Sequence, residues 1–200
     1  MEHIEELNAV ENAPVFSFIG MQKYGICVKV CDGDTIWIKI NLGSPWGINK
    51  IKCRLWRCDT SEIRLGSATS AISKKLGVRA HEFLSKCILD KPILVEFKHF
   101  DLYGRPLVVV FLVNNNYQPH AILNNLLIKN GHAIYWDDST DKKSNRDKII
   151  IPRAIQKGLL DLEEICDEVI AIYREENISV SKCIVSMVDT ALNTPEGESE

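Results

Sequence analysis

The chain has 200 residues, 46% of them apolar, enough for one compact domain with appendages and too few for two full domains. No run of about 18 apolar residues occurs, so no helical membrane span is expected. The N-terminus, MEHIEELNAVENAPVF, is acidic and lacks the apolar core of a secretory signal, so an intracellular chain is expected. Seven cysteines (Cys27, Cys31, Cys53, Cys58, Cys87, Cys166 and Cys183) match no zinc spacing, and several sit in apolar runs. They suit a reduced chain in which cysteine serves as a small hydrophobe. The net charge of −3 is unevenly divided: −4 over residues 1–20, −9 over residues 161–200 and +10 between them. A basic body between acidic ends suits a polyanionic partner, with a solvated mixed surface as the alternative.

Residues 1–20 read as a flexible acidic arm. From Tyr24, residues Ile26, Val28 and Val30 alternate with Cys27 and Lys29. After the Asp32-Gly33 turn signal, Ile36, Ile38 and Ile40 alternate with Thr35, Trp37 and Lys39, so the two runs predict a hairpin. Residues 43–49 form a second turn and residues 50–58 a third strand. Residues 64–75 are small and polar and read as a loop. Ala80, Phe83, Leu84, Cys87 and Ile88 predict a helix over 78–89. Pro92 to Phe97 and Leu107 to Val113 read as two further strands, with a turn at Asn114-Asn115-Asn116. The spacing of Ile122, Leu123, Leu126 and Leu127 predicts a second helix over 119–130 that stops at Gly131, followed by an extended piece at 132–136.

Residues 137–148 carry no apolar side chain and read as an exposed loop. Pro152 is the expected start of a long helix to about residue 177. Its apolar residues, Ile155, Leu159, Leu162, Cys166, Val169 and Tyr173, follow a heptad-like spacing, either packing on the body or forming a self-association or partner surface within 151–192. The expected division is thus an arm at 1–20, a domain at 21–150, and a helical acidic extension at 151–200 with a disordered tail. Five short strands broken by a helix after the third give the order of an OB-fold barrel, so the fold class is α+β: a five-stranded barrel with helices packed on it.

Three clusters could carry chemistry: Asp32-Gly33-Asp34-Thr35, Arg54 through Asp59-Thr60-Ser61-Glu62, and Asp101-Leu102-Tyr103-Gly104-Arg105. Phosphodiester hydrolysis needs oxygen donors for a hard cation, a base for the attacking water, and positive charge on the phosphate oxygens. These clusters contain such a set. Asp34 shares the parity of Ile36, Ile38 and Ile40, which puts its carboxylate at a barrel mouth. Strict alternation puts Arg54 and Asp59 on opposite faces, so they meet only if the strand bends or ends. Singly, each cluster could also be a hairpin turn, a helix start or a plain turn.

The succession DGDT, R-x4-DT-x-E, D-x-YGR and a G-x-A near a Tyr resembles the staphylococcal nuclease family over about residues 23–136. The resemblance implies a calcium-dependent nuclease acting on DNA or RNA through the phosphate backbone and leaving 3′-phosphate ends; magnesium or manganese would also suit oxygen ligands. It implies Asp34, Asp59 and the Thr60 carbonyl as metal ligands and Glu62 as general base. Arg54 and Arg105 would stabilise the phosphate, and Tyr103, with Tyr135 or Trp136, would line the nucleotide pocket. Two departures stand out: Ser61 replaces the usual Pro, which predicts a looser Glu62 loop, and Leu102 replaces a commonly basic or polar residue. The alternative is a catalytically weak or inactive barrel that only binds nucleic acid or protein. Trp37, Trp46 and Trp56 are candidates for stacking on bases, with packing the alternative for Trp37 and Trp56.

Overall fold

A computed structural model describes residues 17–64, 71–136 and 146–160. Its elements in chain order are β1 (Gln22–Val30), β2 (Thr35–Asn41), β3 (Ile48–Leu55), β4 (Cys58–Thr60), α1 (Ala71–Ile88), β5 (Pro92–Phe100), β6 (Pro106–Val113), β7 (Pro119–Ile122), α2 (Leu123–Lys129), β8 (Ala133–Tyr135) and α3 (Arg146–Gln156).

Strand order β3-β2-β1-β5-β6 is closed by a parallel β3–β6 pairing at Arg54–Leu107 and Leu55–Val108, which makes a five-stranded mixed barrel. Closure requires strongly curved strands, and register shifts between Cys27 and Lys29 in β1 and between Phe97 and Phe100 in β5 supply the bends. The alternation in β1 and β2 sends Cys27, Val30, Ile36, Ile38 and Ile40 into the core, where Val95, Val108, Val110, Leu84 and Ile88 meet them. Asn124 of α2 is buried and stitches the closure. Its Nδ2 donates to the carbonyls of Trp56 (2.9 Å) and Val108 (3.2 Å), and its Oδ1 accepts from the Val110 N–H (3.0 Å).

Three sequence expectations need correction. Helix α1 begins at Ala71, seven residues before the expected start at 78. Ile72, Leu76, Ala80, Leu84 and Ile88 form one buried row at steps of four, interrupted in the sequence by exposed or half-exposed lysines. Residues Pro119–Ile122, expected to be helical, form β7 paired to the outer edge of β6, with Pro119 at the strand start, where a missing N–H is tolerated. The helix then runs only from Leu123 to Lys129 and stops at Gly131 as expected, in a left-handed conformation with the His132 N–H returned to the Leu127 carbonyl.

The third correction concerns α3. It begins at Arg146, not Pro152, and ends at Gln156. Gly158 adopts φ +63° and the Leu159 N–H returns to the Ala154 carbonyl, which is the stop signal that the heptad spacing ran through. Ile150, Ile151, Ala154 and Leu160 pack with Ile72 and Leu76 of α1 and Ile134 of β8, and Leu159 packs against them. Residue 150 thus lies within α3, on the side that packs against α1 and β8. Residues 1–16 of the expected arm at 1–20, most of the loop at 137–148 and the extension beyond 160 lie outside the described residues, whereas Phe18 of that arm packs against the barrel core. No helix among the described residues is long and apolar enough to cross a membrane.

Candidate functional site

The DGDT turn sits where β1 passes into β2. Asp32 Oδ1 accepts the Asp34 N–H at 3.1 Å, a local turn that aims Asp34 inward. Gly33 is required here by contact: a Cβ would lie 2.7 Å from both the Ala80 Cβ and the Thr60 Oγ1. The turn is thereby clamped between α1 and β4. Asp34 is buried, as its parity predicted; its Oδ1 accepts from the Thr35 hydroxyl (3.0 Å) and its Oδ2 from the Thr60 N–H (3.3 Å).

Arg54 and Asp59 do converge. Strand β3 ends at Leu55, and Arg57 takes a left-handed φ of +55°, so the chain turns through Trp56-Arg57 before β4. Arg54 Nη2 then lies 2.9 Å from Asp34 Oδ2 and 2.7 Å from Asp59 Oδ1. Both carboxylates are 4% exposed. Burial pushes the Asp34 carboxyl up to about 7, against the pull of Arg54. Burial alone would lower the Arg54 guanidinium, but Asp34 and Asp59 outweigh it and hold the group charged.

Two buried acids thus share one guanidinium, and this oxygen-rich, cation-poor arrangement fits a hard divalent cation. Among the described residues no three His, Cys, Asp or Glu side chains gather around one point. The donors that the resemblance implies, Asp34, Asp59 and the Thr60 carbonyl, would need water to complete such a cation's shell. Cys58 adds no soft ligand: burial pushes its thiol far up, and its Sγ donates to the Asn124 carbonyl.

Glu62 lies exposed, three residues past Asp59. Its segment rests on α1 at Gly77, where a Cβ would come within 2.6 Å of the Ser61 carbonyl oxygen and 2.7 Å of the Glu62 backbone. Ser61 itself is 1% exposed. Close packing on a glycine of α1 thus supports the chain at Ser61, where a proline would stiffen it.

Arg105 is not brought against Asp34 or Asp59; its closest acid is Asp101. In the β5–β6 turn, Asp101 Oδ1 accepts the N–H groups of Tyr103 (2.9 Å) and Arg105 (2.8 Å), and its Oδ2 accepts Arg105 Nε at 2.6 Å. Burial alone would raise the Asp101 carboxyl, but these bonds to Arg105 and Tyr103 hold it below the usual range. The Arg105 guanidinium lies over the exposed Tyr103 ring at 5.5 Å. The register places this turn beside the site, since Leu107 pairs with Arg54.

Tyr135 is half-exposed and pairs with Cys58 across β4–β8, next to Asp59. Sequence reasoning missed Arg57. Its guanidinium lies 5.2 Å from the Trp56 ring centre and 5.3 Å from that of Tyr135, and its carbonyl accepts the Trp136 N–H at 3.2 Å. Among the described residues no carboxylate pairs with it. The signal available in sequence was a second arginine in R-x2-R, but only the turn places it against the Trp56 and Tyr135 rings.

The geometry is thus a closed barrel with a buried carboxylate–guanidinium group at its mouth and basic side chains around it. The chain belongs to the staphylococcal nuclease homologue family, whose model matches residues 52–154. That segment contains Arg54, Asp59, Glu62 and Arg105; Asp34 precedes it. A relative, the uncharacterized protein MJ1439 of Methanocaldococcus jannaschii, is 31% identical over 127 residues, which cover 55% of this chain and 58% of the relative. The chain thus spans less than two thirds of that protein. Membership points to a nuclease or nucleic-acid-binding function, in a family that is typically calcium-dependent.

Proposed function

We propose that this chain is a metal-dependent phosphodiesterase that hydrolyses DNA or RNA. The observation that carries the reading is the pair of buried carboxylates, Asp34 and Asp59, sharing Arg54 at the barrel mouth, with Glu62 exposed three residues further on. A domain that only bound polyanions would gain nothing from two buried acids at its phosphate end, since they repel phosphate unless a cation stands between.

In this reading Asp34, Asp59 and the Thr60 carbonyl hold a divalent cation, calcium in keeping with the family. When bound, it would supply charge to the phosphate oxygens and position water. Glu62 takes the proton of the attacking water, whose oxygen bonds to phosphorus as the bond to the 5′-oxygen breaks and that oxygen takes up a proton from solvent. The products are a 3′-phosphate and a 5′-hydroxyl. Arg54 keeps its Nη1 and Nε for the non-bridging oxygens while Nη2 stays on the two aspartates. Arg105, held through Nε by Asp101, turns its Nη groups to the same phosphate. Tyr103, Tyr135 and Trp136 flank the nucleotide, with Arg57 between Trp56 and Tyr135 as an added cation. A self-association or partner surface within residues 151–192 belongs to the same reading. The free cysteines among the described residues, Cys27, Cys31, Cys53, Cys58 and Cys87, favour an intracellular setting.

The test is to incubate the chain with single-stranded DNA, plasmid and RNA in calcium, in magnesium and in EDTA, with Glu62→Gln and Arg105→Ala in parallel. Cleavage that needs a metal, leaves 3′-phosphate ends and is lost in both variants is expected. Retention of nucleic acid without cleavage in any metal would refute the reading in favour of a binding module.

A further inference from the structure

Apart from Arg54, the outer face of β1, β2 and β3 has no part in the chemistry above, yet its charge is one-sided. Between residues 17 and 57 there are seven basic residues and only two acids, Asp32 and Asp34, both in the DGDT turn. The strand register sorts the rest into rows across three strands. Lys29, Trp37 and Lys52 make one row, and Ile26, Lys39 and Lys50 the next. Thr35 and Arg54 make the row that ends at the carboxylates. Lys29, Lys39, Lys50 and Lys52 are all exposed. Lys39 stands directly opposite Lys50, a like-charge pairing that weakens a sheet and serves no structural purpose.

At the far end the β2–β3 turn presents Trp46 at 68% and Ile48 at 70% exposure. This turn is a fixed support: the Leu42 N–H bonds the Gly47 carbonyl, the Gly47 N–H bonds the Gly43 carbonyl, and Asn49 Nδ2 bonds the Trp46 carbonyl at 2.7 Å. From Ile48 to Arg54 the strand spans about 20 Å at ~3.3 Å per residue.

We infer that this face is an extended binding track for single-stranded nucleic acid, running from the phosphate end at Arg54 along Lys52, Lys50 and Lys39 to Trp46. The lysines match a run of phosphates. The exposed indole argues for a single strand, because only unpaired bases offer their faces for stacking. A barrel face of this size suits the ~4–16 nucleotides that one such fold contacts. The track rests on the nuclease reading only in taking Arg54 as its phosphate end; binding along it does not require cleavage.

The test is fluorescence anisotropy of a labelled 12-nucleotide single strand and its duplex, in EDTA, over a salt series. Wild type is compared with Lys39→Gln/Lys50→Gln/Lys52→Gln and with Trp46→Ala, all in the full chain. Each lost phosphate contact lowers the salt slope by about 0.7 for a single strand. The triple variant should therefore lose about two units of slope and roughly 100-fold in affinity at 0.1 M salt. Trp46→Ala should lose about tenfold on the single strand and nothing on the duplex. Since the triple variant removes a like-charge pair, its melting temperature should not fall, which separates lost binding from lost folding. An unchanged slope in the triple variant, or a duplex bound as tightly as the single strand, overturns the track. Wild-type cleavage in calcium is read separately: binding through these lysines without cutting refutes the phosphodiesterase and leaves the track, and cutting with an unaltered triple variant does the reverse.

Discussion

Replacing Arg54 with alanine should destabilise the domain in a strongly pH-dependent way. Asp34 and Asp59 are each 4% exposed and both lie within 3 Å of one Arg54 nitrogen, at 2.9 and 2.7 Å. Removing the cation leaves two buried negative charges, and breaking a buried pair from one side costs about 3–5 kcal/mol. At about 3–6 °C per kcal/mol for a domain of this size, the melting temperature should fall by roughly 10–20 °C near neutral pH. The sign of the pH dependence follows from Asp34, whose folded carboxyl is already raised to about 7 by burial against the pull of Arg54. Without that pull it rises further, so the folded state holds a proton that the unfolded state releases at about 3.9. Stability is then fully present below the unfolded value and lost as pH rises through the folded one. Urea titrations followed by tryptophan fluorescence at about pH 5 and about pH 8 should show the deficit of the variant larger at pH 8, by about 1 kcal/mol. Adding Asp34→Asn to the variant should flatten this difference. An equal deficit at both pH values would refute the reasoning, because lost packing, unlike lost charge compensation, does not titrate.

Three further outcomes can be checked directly. Glu62→Gln should lower cleavage by about 10²–10⁴-fold, with stability within about 0.5 kcal/mol of wild type because the side chain is exposed; a large loss of stability would make Glu62 structural. Gly77→Ala must push the Ser61–Glu62 backbone away, since its Cβ would meet the Ser61 oxygen at 2.6 Å. Cleavage should fall at least tenfold while circular dichroism keeps the helix signal and stability drops by about 1–3 kcal/mol, and unaltered kinetics would show that the loop position is immaterial. Asn124→Leu removes three hydrogen bonds at the barrel closure and leaves buried backbone groups unpaired. The expected loss is about 3–4 kcal/mol by chemical denaturation, and a loss below about 1 kcal/mol would mean that solvent reaches the closure.

The barrel and the residue types at its mouth were legible from local patterns in the sequence. The period-two run at Ile36, Ile38 and Ile40 could bury one face only as a strand, the short apolar run from Leu107 to Val113 read as another, and the DGDT, R-x4-DT-x-E and D-x-YGR segments carried the residue types that phosphate chemistry requires. Gly131 ended α2 as expected, because a left-handed stop is a local property. What local patterns could not decide were features set by distant partners. The first two turns of α1 looked like a loop because Ile72 and Leu76 are covered by α3 and β8, elements far away in the chain. Pro119–Ile122 looked helical because only the edge of β6 makes it a strand. Arg54 and Asp59 looked incompatible by parity, and their convergence rests on the turn at Arg57. The rows of lysine across β1–β3 are likewise invisible in sequence, since cross-strand register follows from barrel closure. Hydrophobic period and turn chemistry act over a few residues, whereas the site is made where strands remote in sequence are brought side by side.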